Sequence, residues 1–319
     1  MTIAWVIGRG GLLGSALSRA LARGGSVLFE QSDRFAWRKP ELLQTQIDET
    51  ARAFAEAAAE AEAGRWEIYW AAGVGTLMSA EGEFASETRA LALLLDAIAR
   101  NRILQSRRSV FTLASSAGAI YGGSREPLIS EATPVAPTSA YARVKLEHEA
   151  MVARFAIESG AGALVARIST LYGVGQSSAK AQGLLTHISR CIIRNRPIQI
   201  FVPLDTIRDY ISADDAAEML VEAARPGFEP GGTRVKIIAS ERPTTIGEIV
   251  SIFKRVARRP PRIMTSATPA SSIYARRMQF RSVVPPLSYT RVRTPLLVGI
   301  SQVMAAERMR FVAASSPWP

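Results

Sequence analysis

The chain has 319 residues, 48% apolar and 21% charged, which reads as a globular protein with a well-buried core and excludes disordered and fibrous classes. No apolar run reaches the roughly 18 residues a membrane span needs, the first residues lack the order of a secretory leader, and the expected location is cytoplasmic. One cysteine, Cys191, excludes an internal disulfide framework, and His148 and His187 add no zinc-ligand cluster, so a metal-centred mechanism is not expected. The net charge of +11 is concentrated: residues 226–319 hold 15 Lys and Arg against 4 Asp and Glu, while the first 225 residues balance at 24 each. Such a field suits a diphosphate-containing small molecule, a nucleic acid or an acidic protein surface, unless it is simply a solvated Arg-rich face.

In chain order, Thr2 to Ile7 reads as a strand, followed by a glycine-rich turn and a helix with Leu13, Leu17 and Leu21 four apart, closed by Gly24 and Gly25. Ser26 to Phe29 reads as a second strand. Phe35 to Trp37 is a candidate strand stub before a helix that Pro40 would open, and Glu49 to Ala63 is helical by propensity. Strands at Trp66 to Ala72, Ser109 to Ser115 and Ala163 to Ser169 then alternate with helices at Glu87 to Arg100 and Tyr141 to Ser159. The last of these helices is expected to show solvent a carboxylate-rich side, and His148, one turn after Lys145, is expected to face solvent. This alternation predicts right-handed crossovers of a parallel sheet. After Gly173 it loosens, so we place a dinucleotide-binding domain over 1–175 and a substrate-binding lobe over 176–319. The strand, helix and strand within 206–240 are expected to return to the first sheet. Thr265 to Ser272 reads as a loop, and His187 and Cys191 as helix neighbours without a third metal ligand.

The turn after the first strand is Gly8-Arg9-Gly10-Gly11-Leu12-Leu13-Gly14, a G-x-x-G-x-x-G pattern opening a helix. Glycines there let the backbone turn tightly and approach a pyrophosphate, whose charge then sits on the helix N-terminus. Glu30, 22 residues after Gly8, lies where an adenosine ribose is held through its hydroxyls, which favours NAD. Arg9, Arg34 and Arg38 keep NADP open, because a guanidinium can meet a 2′-phosphate. Further on, Tyr141 and Lys145 stand four apart on one helix face. A phenol of ordinary pKa near 10 is a poor base at neutral pH, and an adjacent ammonium with an oxidised nicotinamide would make it a competent one.

With these motifs the sequence resembles the extended short-chain dehydrogenase/reductase family, the NAD-dependent epimerase/dehydratase group that includes UDP-galactose 4-epimerase and the sugar-nucleotide dehydratases. The resemblance covers most of residues 1–225. It rests on Gly8, Gly11 and Gly14, Ala71-Ala72, the run Ser115 to Gly122, Tyr141 with Lys145, Arg167 to Gly173, and Arg208-Asp209-Tyr210-Ile211 followed by Asp214-Asp215. It implies a doubly wound Rossmann-type α/β fold with a smaller C-terminal lobe that binds a nucleotide sugar. It implies cofactor contacts from Gly8, Arg9, Gly10, Gly11, Leu12, Leu13, Gly14, Glu30, Ala71, Ala72, Gly73, Ser115, Tyr141, Lys145 and Ile168. Tyr141, Lys145 and Ser116 are the implied catalytic residues, and Ala117, Tyr121, Thr170, Arg208 and Arg281 the implied substrate contacts. Arg208 would bind the substrate diphosphate, as bidentate guanidinium chemistry allows, or else pair with Asp209 or Asp214. A homodimer through the helices that hold Glu87 and Tyr141 is also implied.

Departures from the family pattern narrow the chemistry. Ala117 stands where the family has a Ser or Thr beside the reacting hydroxyl, and Ser116 would replace it only through a local shift, since a regular strand turns it to the opposite face. Glu87 stands near a helix start where many relatives carry Asn. Gly118-Ala119 stands where the dehydratases of the family have an Asp-Glu pair, which disfavours a 4,6-dehydratase. The sequence therefore leaves open a nucleotide-sugar epimerase, a reductase of a keto sugar or other carbonyl, and a catalytically impaired dinucleotide-binding or nucleic-acid-binding scaffold. Retention of Tyr141 with Lys145, and an Arg-rich stretch without interleaved aromatics, argue against the scaffold.

Overall fold

The last five residues of the first strand are all buried, the pattern of a strand covered by helices on both faces rather than half exposed to water. The structure, a computed structural model, describes residues 1–73, 84–105, 108–176, 183–258, 261–265, 276–287 and 293–315. Residues 266–272 of the expected loop lie outside them. In chain order the first half runs β1 (Thr2–Ile7), α1 (Leu12–Arg23), β2 (Val27–Leu28), α2 (Pro40–Glu60), β3 (Arg65–Trp70), α3 (Ala85–Ala99), α4 (Arg102–Gln105), β4 (Arg108–Ser116), α5 (Ala117–Ile120), α6 (Ala140–Ser159) and β5 (Gly162–Ile168). The second half runs β6 (Thr170–Tyr172), α7 (Leu184–Ile193), β7 (Ile198–Ile200), β8 (Ile207–Ser212), α8 (Ala213–Ala224), β9 (Thr233–Ile238), β10 (Pro243–Thr245), α9 (Ile246–Ala257), β11 (Ile263–Thr265) and α10 (Leu296–Ser315).

Six strands form one parallel sheet in the order β2-β1-β3-β4-β5-β9. The chain reverses direction across the sheet between β1 and β3, so their C-terminal ends bound the crevice where doubly wound folds take ligands. One face is covered by α1 and α8, whose Leu13, Leu17, Leu21, Leu220 and Val221 share a core with Val6 and Ile168. The other is covered by α2, α3 and α6 around Trp5, Phe54, Trp66 and Phe155. Within 206–240, β9 pairs with β5 in this sheet and α8 packs beside α1 on its face. In contrast, β8 joins β6 and β10 in a separate three-stranded sheet, so the chain leaves the main sheet before Gly175. The C-terminal lobe packs α7, α9 and α10 around Leu185, Ile249, Phe253 and Ile300. Among the described residues no helix is long and apolar enough to cross a membrane.

Two sequence expectations are corrected here. Phe35 to Trp37 forms no strand: its rings are core pieces, Phe35 packing edge-on to Trp5 at 6.3 Å and Trp37 to Trp70 at 6.0 Å. These large apolar side chains read as a strand because a buried coil and a buried strand share the same composition. Pro40 does open a helix at its first turn, but α2 runs unbroken to Glu60 and ends before Ala63.

Phe54 is fully buried and touches the rings of Trp5, Phe29 and Trp66 at centroid distances of 5.4, 5.3 and 6.3 Å. Phe54→Ala is expected to lower the unfolding free energy by about 3–5 kcal/mol, read from the urea midpoint, because it leaves a cavity among the buried rings of Trp5 and Trp66. A loss below about 1 kcal/mol would show that the aromatic cluster repacks.

Candidate active site

At the end of β1 the chain approaches β3 so closely that side chains are excluded. Gly8 has φ +91°, and a Cβ there would lie 2.7 Å from the Ala72 nitrogen. A Cβ on Gly14 would collide with the Gly8 carbonyl oxygen, whereas one on Gly10 would meet nothing within 4 Å. Gly11 N–H donates to Gly8 O at 2.8 Å, closing the turn. Gly11 then stands at the N-cap of α1 with no side-chain hydrogen bond, so the first N–H groups of the helix point out of an open, positively polarised end. Gly10 and Gly11 are exposed, Leu12 is half-buried and Leu13 is buried in the core beneath. This cradle of backbone donors without side chains fits a pyrophosphate. Glu30 lies two residues past β2, exposed, with Arg9 donating to it at 3.4 Å, so the two opposed indicators of cofactor type pair with each other.

Ala71, Ala72 and Gly73 follow β3 and lead to a second group of residues. The N-terminal turns of α3 and α6 lie side by side and meet in three successive contacts. The Phe84 and Tyr141 rings lie 5.9 Å apart, Lys145 Nζ donates to Glu87 Oε1 at 2.9 Å, and His148 Nε2 and Thr88 Oγ1 share a hydrogen bond of 2.8 Å. Ser139 caps α6 by accepting from Ala142 N–H at 3.2 Å, which fixes where the first turn with Tyr141 begins. Tyr141 is half-buried, and Lys145 Nζ lies 5.6 Å from its ring centroid. The face shared by Tyr141 and Lys145 is thus formed as the spacing predicts.

Lys145 is 4% exposed. Burial alone would pull its pKa down, but Tyr141 and Glu87 outweigh this and hold it above the ordinary lysine value. His148 is a correction: it is fully buried rather than solvent-facing. Burial, reinforced by the Lys145 charge, pushes its pKa down to about 4, so the ring is neutral. Its neighbour Glu149 is buried too, accepting from Ser115 Oγ at 2.6 Å and from Arg167 Nη2 at 2.7 Å. The side of α6 expected to face water is therefore partly a buried polar seam.

Ser115, expected at the cofactor, has its hydroxyl committed to Glu149. β4 stays regular through Ser116, which pairs in register with Ile168, and α5 begins at Ala117. The shift that would bring Ser116 into the place of Ala117 does not occur, and the Ser116 hydroxyl instead caps α5 by accepting from Ala119 N–H at 3.3 Å. Tyr121, expected at the pocket wall, is fully buried, its hydroxyl accepting from Arg167 Nη1 at 2.6 Å. Ile168 is buried at the end of β5, and Thr170 is exposed at the start of β6.

Arg208 is half-buried on β8 and donates to the Ile207 carbonyl at 2.7 Å. The carboxylates named as its possible partners have their own: Asp209 accepts from Ser169 Oγ at 2.6 Å and Ser240 N–H at 2.8 Å, and Asp214 pairs with Arg19 at 2.7 Å. Arg281 is exposed, its backbone N–H donating to Ile129 O at 2.9 Å. His187 Nε2 and Cys191 Sγ lie 3.6 Å apart, and among the described residues no three ligands gather for a metal ion.

Fold and site together define a doubly wound α/β protein with a glycine cradle at its switch point and a tyrosine and lysine pair beside it. The chain belongs to the NAD dependent epimerase/dehydratase family, whose model matches residues 4–237. A dTDP-L-rhamnose 4-epimerase of Burkholderia thailandensis is 27% identical over 128 residues, 40% of this chain and 35% of that protein, so the alignment spans about a third of its length. The structure is similar to that of UDP-glucose 4-epimerase from Thermotoga maritima, solved with UDP-glucose, with a TM-score of 0.73 and 19% identity over 98% of this chain and 100% of that one. It is also similar to UDP-glucose 4-epimerase from Thermus thermophilus, solved with NAD, with a TM-score of 0.74 and 18% identity over 97% and 99%. At such identities these likenesses speak for the fold.

Because the folded protein keeps His148 neutral while the unfolded chain protonates it near pH 6.5, the unfolded state binds the extra proton between about pH 6.5 and about pH 4. Stability is therefore expected to fall as pH drops through that window. His148→Gln should have a shallower loss than wild type between pH 7 and pH 4.5, measured by urea denaturation; equal slopes would contradict the assignment.

Proposed function

We propose that the protein is an NAD(P)-dependent epimerase of a nucleotide-activated sugar. The observation that carries this reading is the placement of Tyr141 and Lys145 next to the glycine cradle: Gly8 abuts Ala72, and Gly73 lies beside the carboxylate that binds Lys145. Family membership and the resemblance to solved 4-epimerases support it. Gly10, Gly11 and the N-terminus of α1 would hold the pyrophosphate, and Glu30 an adenosine ribose, with NAD the preferred cofactor and NADP admitted if Arg9 turns to a 2′-phosphate. When bound, the nicotinamide supplies a hydride acceptor that later returns the hydride to the sugar carbon.

Within this scheme Tyr141 Oη takes the proton of the sugar hydroxyl and returns it after inversion, and the Lys145 ammonium offsets the negative charge that the phenol oxygen bears meanwhile. Arg208 and the exposed Thr170 open the substrate side, where Arg208 would meet the diphosphate. The absence of a hydroxyl at Ala117 leaves proton handling to Tyr141. The reaction also needs no external proton donor, since the proton leaves and returns to one oxygen.

Two substitutions separate binding from chemistry. Gly11→Asp sets a carboxylate against the pyrophosphate and is expected to abolish dinucleotide binding in calorimetry; unchanged affinity would refute the cradle. Tyr141→Phe is expected to cut epimerisation of UDP- or dTDP-hexoses by about 10²–10⁴-fold while dinucleotide affinity stays within a few-fold. Normal turnover in that variant would exclude the proposed proton transfer.

A further inference from the structure

Glu87 is a charged group that the proposed chemistry leaves without a role. It sits in the first turn of α3, 3% exposed, with Oε1 accepting from Lys145 Nζ at 2.9 Å. A carboxylate buried this deeply is costly unless paired, and so is the ammonium it meets. Its placement is tied to the site on two sides. A Cβ on Gly73 would lie 3.6 Å from both carboxylate oxygens, which puts the carboxylate at the end of β3 beside the dinucleotide cradle. On α6, Tyr141 and His148 stand about one turn to either side of Lys145, so the contacts Phe84 with Tyr141 and Thr88 with His148 flank the ion pair.

We propose that Glu87 is a positioning residue that fixes the Lys145 ammonium beside the Tyr141 ring, so that the working unit is Glu87, Lys145 and Tyr141 together rather than the tyrosine and lysine alone. The inference rests on the acid–base reading of Tyr141 and deepens it. A lysine side chain is long and rotatable, and its ammonium serves a phenol only if something else determines where it points. The groups facing Lys145 narrow the candidates. From α6 come Tyr141, His148 and Glu149. His148 is neutral and contributes no opposing charge, with Nδ1 making no hydrogen bond and lying 3.8 Å from Glu87 Oε1. Glu149 is engaged by Arg167 of β5 and Ser115 of β4. From α3 comes Glu87, in direct contact. Burial works against the charged ammonium, and Tyr141 and Glu87 are the largest opposing influences on it. Hydrogen bonding and charge are separable at this position: Gln keeps an acceptor for Nζ–H, whereas Asp keeps the charge on a shorter stem.

The test is an NMR titration of ¹³C-labelled lysine in the full chain without added substrate. The chain has five lysines, Lys39, Lys145, Lys180, Lys236 and Lys254, and Lys145→Arg identifies the Lys145 signal by its loss. In the wild type the Lys145 Cε signal is expected to titrate above the ordinary lysine value of about 10.4. Glu87→Gln should lower that midpoint by about one pH unit or more, because burial then acts against the charge with one opposing carboxylate fewer, and Glu87→Asp should recover most of the shift. The proposal is overturned if wild-type Lys145 titrates below the ordinary value, or if Glu87→Gln leaves the midpoint in place. If the Gln variant fails to fold, Glu87→Ala supplies the same comparison, and an unchanged Lys145 midpoint in it overturns the proposal. Since the titration needs no turnover, its failure is distinct from failure of the epimerase reading, which Tyr141→Phe addresses.

Discussion

No side chain separates the β1–α1 turn from the end of β3, and the arrangement of the site follows from that contact. Gly8, in a left-handed conformation against Ala72, and Gly14, packed on the Gly8 carbonyl, bring α1 down on the sheet with its N-terminal N–H groups facing the crevice. One residue past the contact the chain reaches Gly73, which borders Glu87, and Glu87 contacts Lys145 one turn below Tyr141. The cradle and the Tyr141–Lys145 pair are thus joined through neighbouring backbone and one ion pair, so an error in the first contact would displace the second. This also explains why the glycines cannot be replaced one for one: Gly10 has open space around it, whereas Gly8 and Gly14 have none.

Behind this line the interior carries more charge than a domain core usually does. Lys145 with Glu87, and Arg167 with Glu149, Ser115 and Tyr121, form two buried polar groups along α6. Each charge has an opposite charge in contact, which is the condition under which burial is tolerable. The second group ties β4, β5, α6 and the end of α5 together beneath the crevice. The first lies directly under Tyr141.

Most of the fold was legible because its signals are local. The turn from Gly8 to Gly14, the alternation of apolar strands with helices, and the spacing of Tyr141 and Lys145 each follow from a few adjacent residues. The failures were long-range. His148 reads as solvent-facing, yet the residues buried on α6 are Ala142, Lys145, His148, Glu149, Val152, Phe155 and Ala156, a stripe at helical spacing in which the polar members occupy core positions. That periodicity was available in the sequence, but the partners Arg167 and Glu87 lie on other elements and no spacing rule connects them. Ser115 and Ser116 were similarly ambiguous: strand alternation predicts opposite faces, but only the structure shows Glu149 on one side and a helix cap on the other. The cationic excess of residues 226–319 likewise proves in part structural, with Arg234 stacked on Phe228 at 4.2 Å, Arg276 paired with Asp205 and Arg310 with Glu307.

The central claim is that inversion proceeds by removal and return of the same hydride within one active site, with the proton handled by Tyr141. The most direct measurement is mass spectrometry of the epimeric product after turnover of a UDP- or dTDP-hexose in D₂O with no dinucleotide consumed. The account predicts a product with no deuterium bound to carbon, since the hydrogen lifted from the sugar returns to it. One deuterium on carbon would mean that the stereocentre inverts through a solvent-exchanged carbanion, and that result would contradict the mechanism.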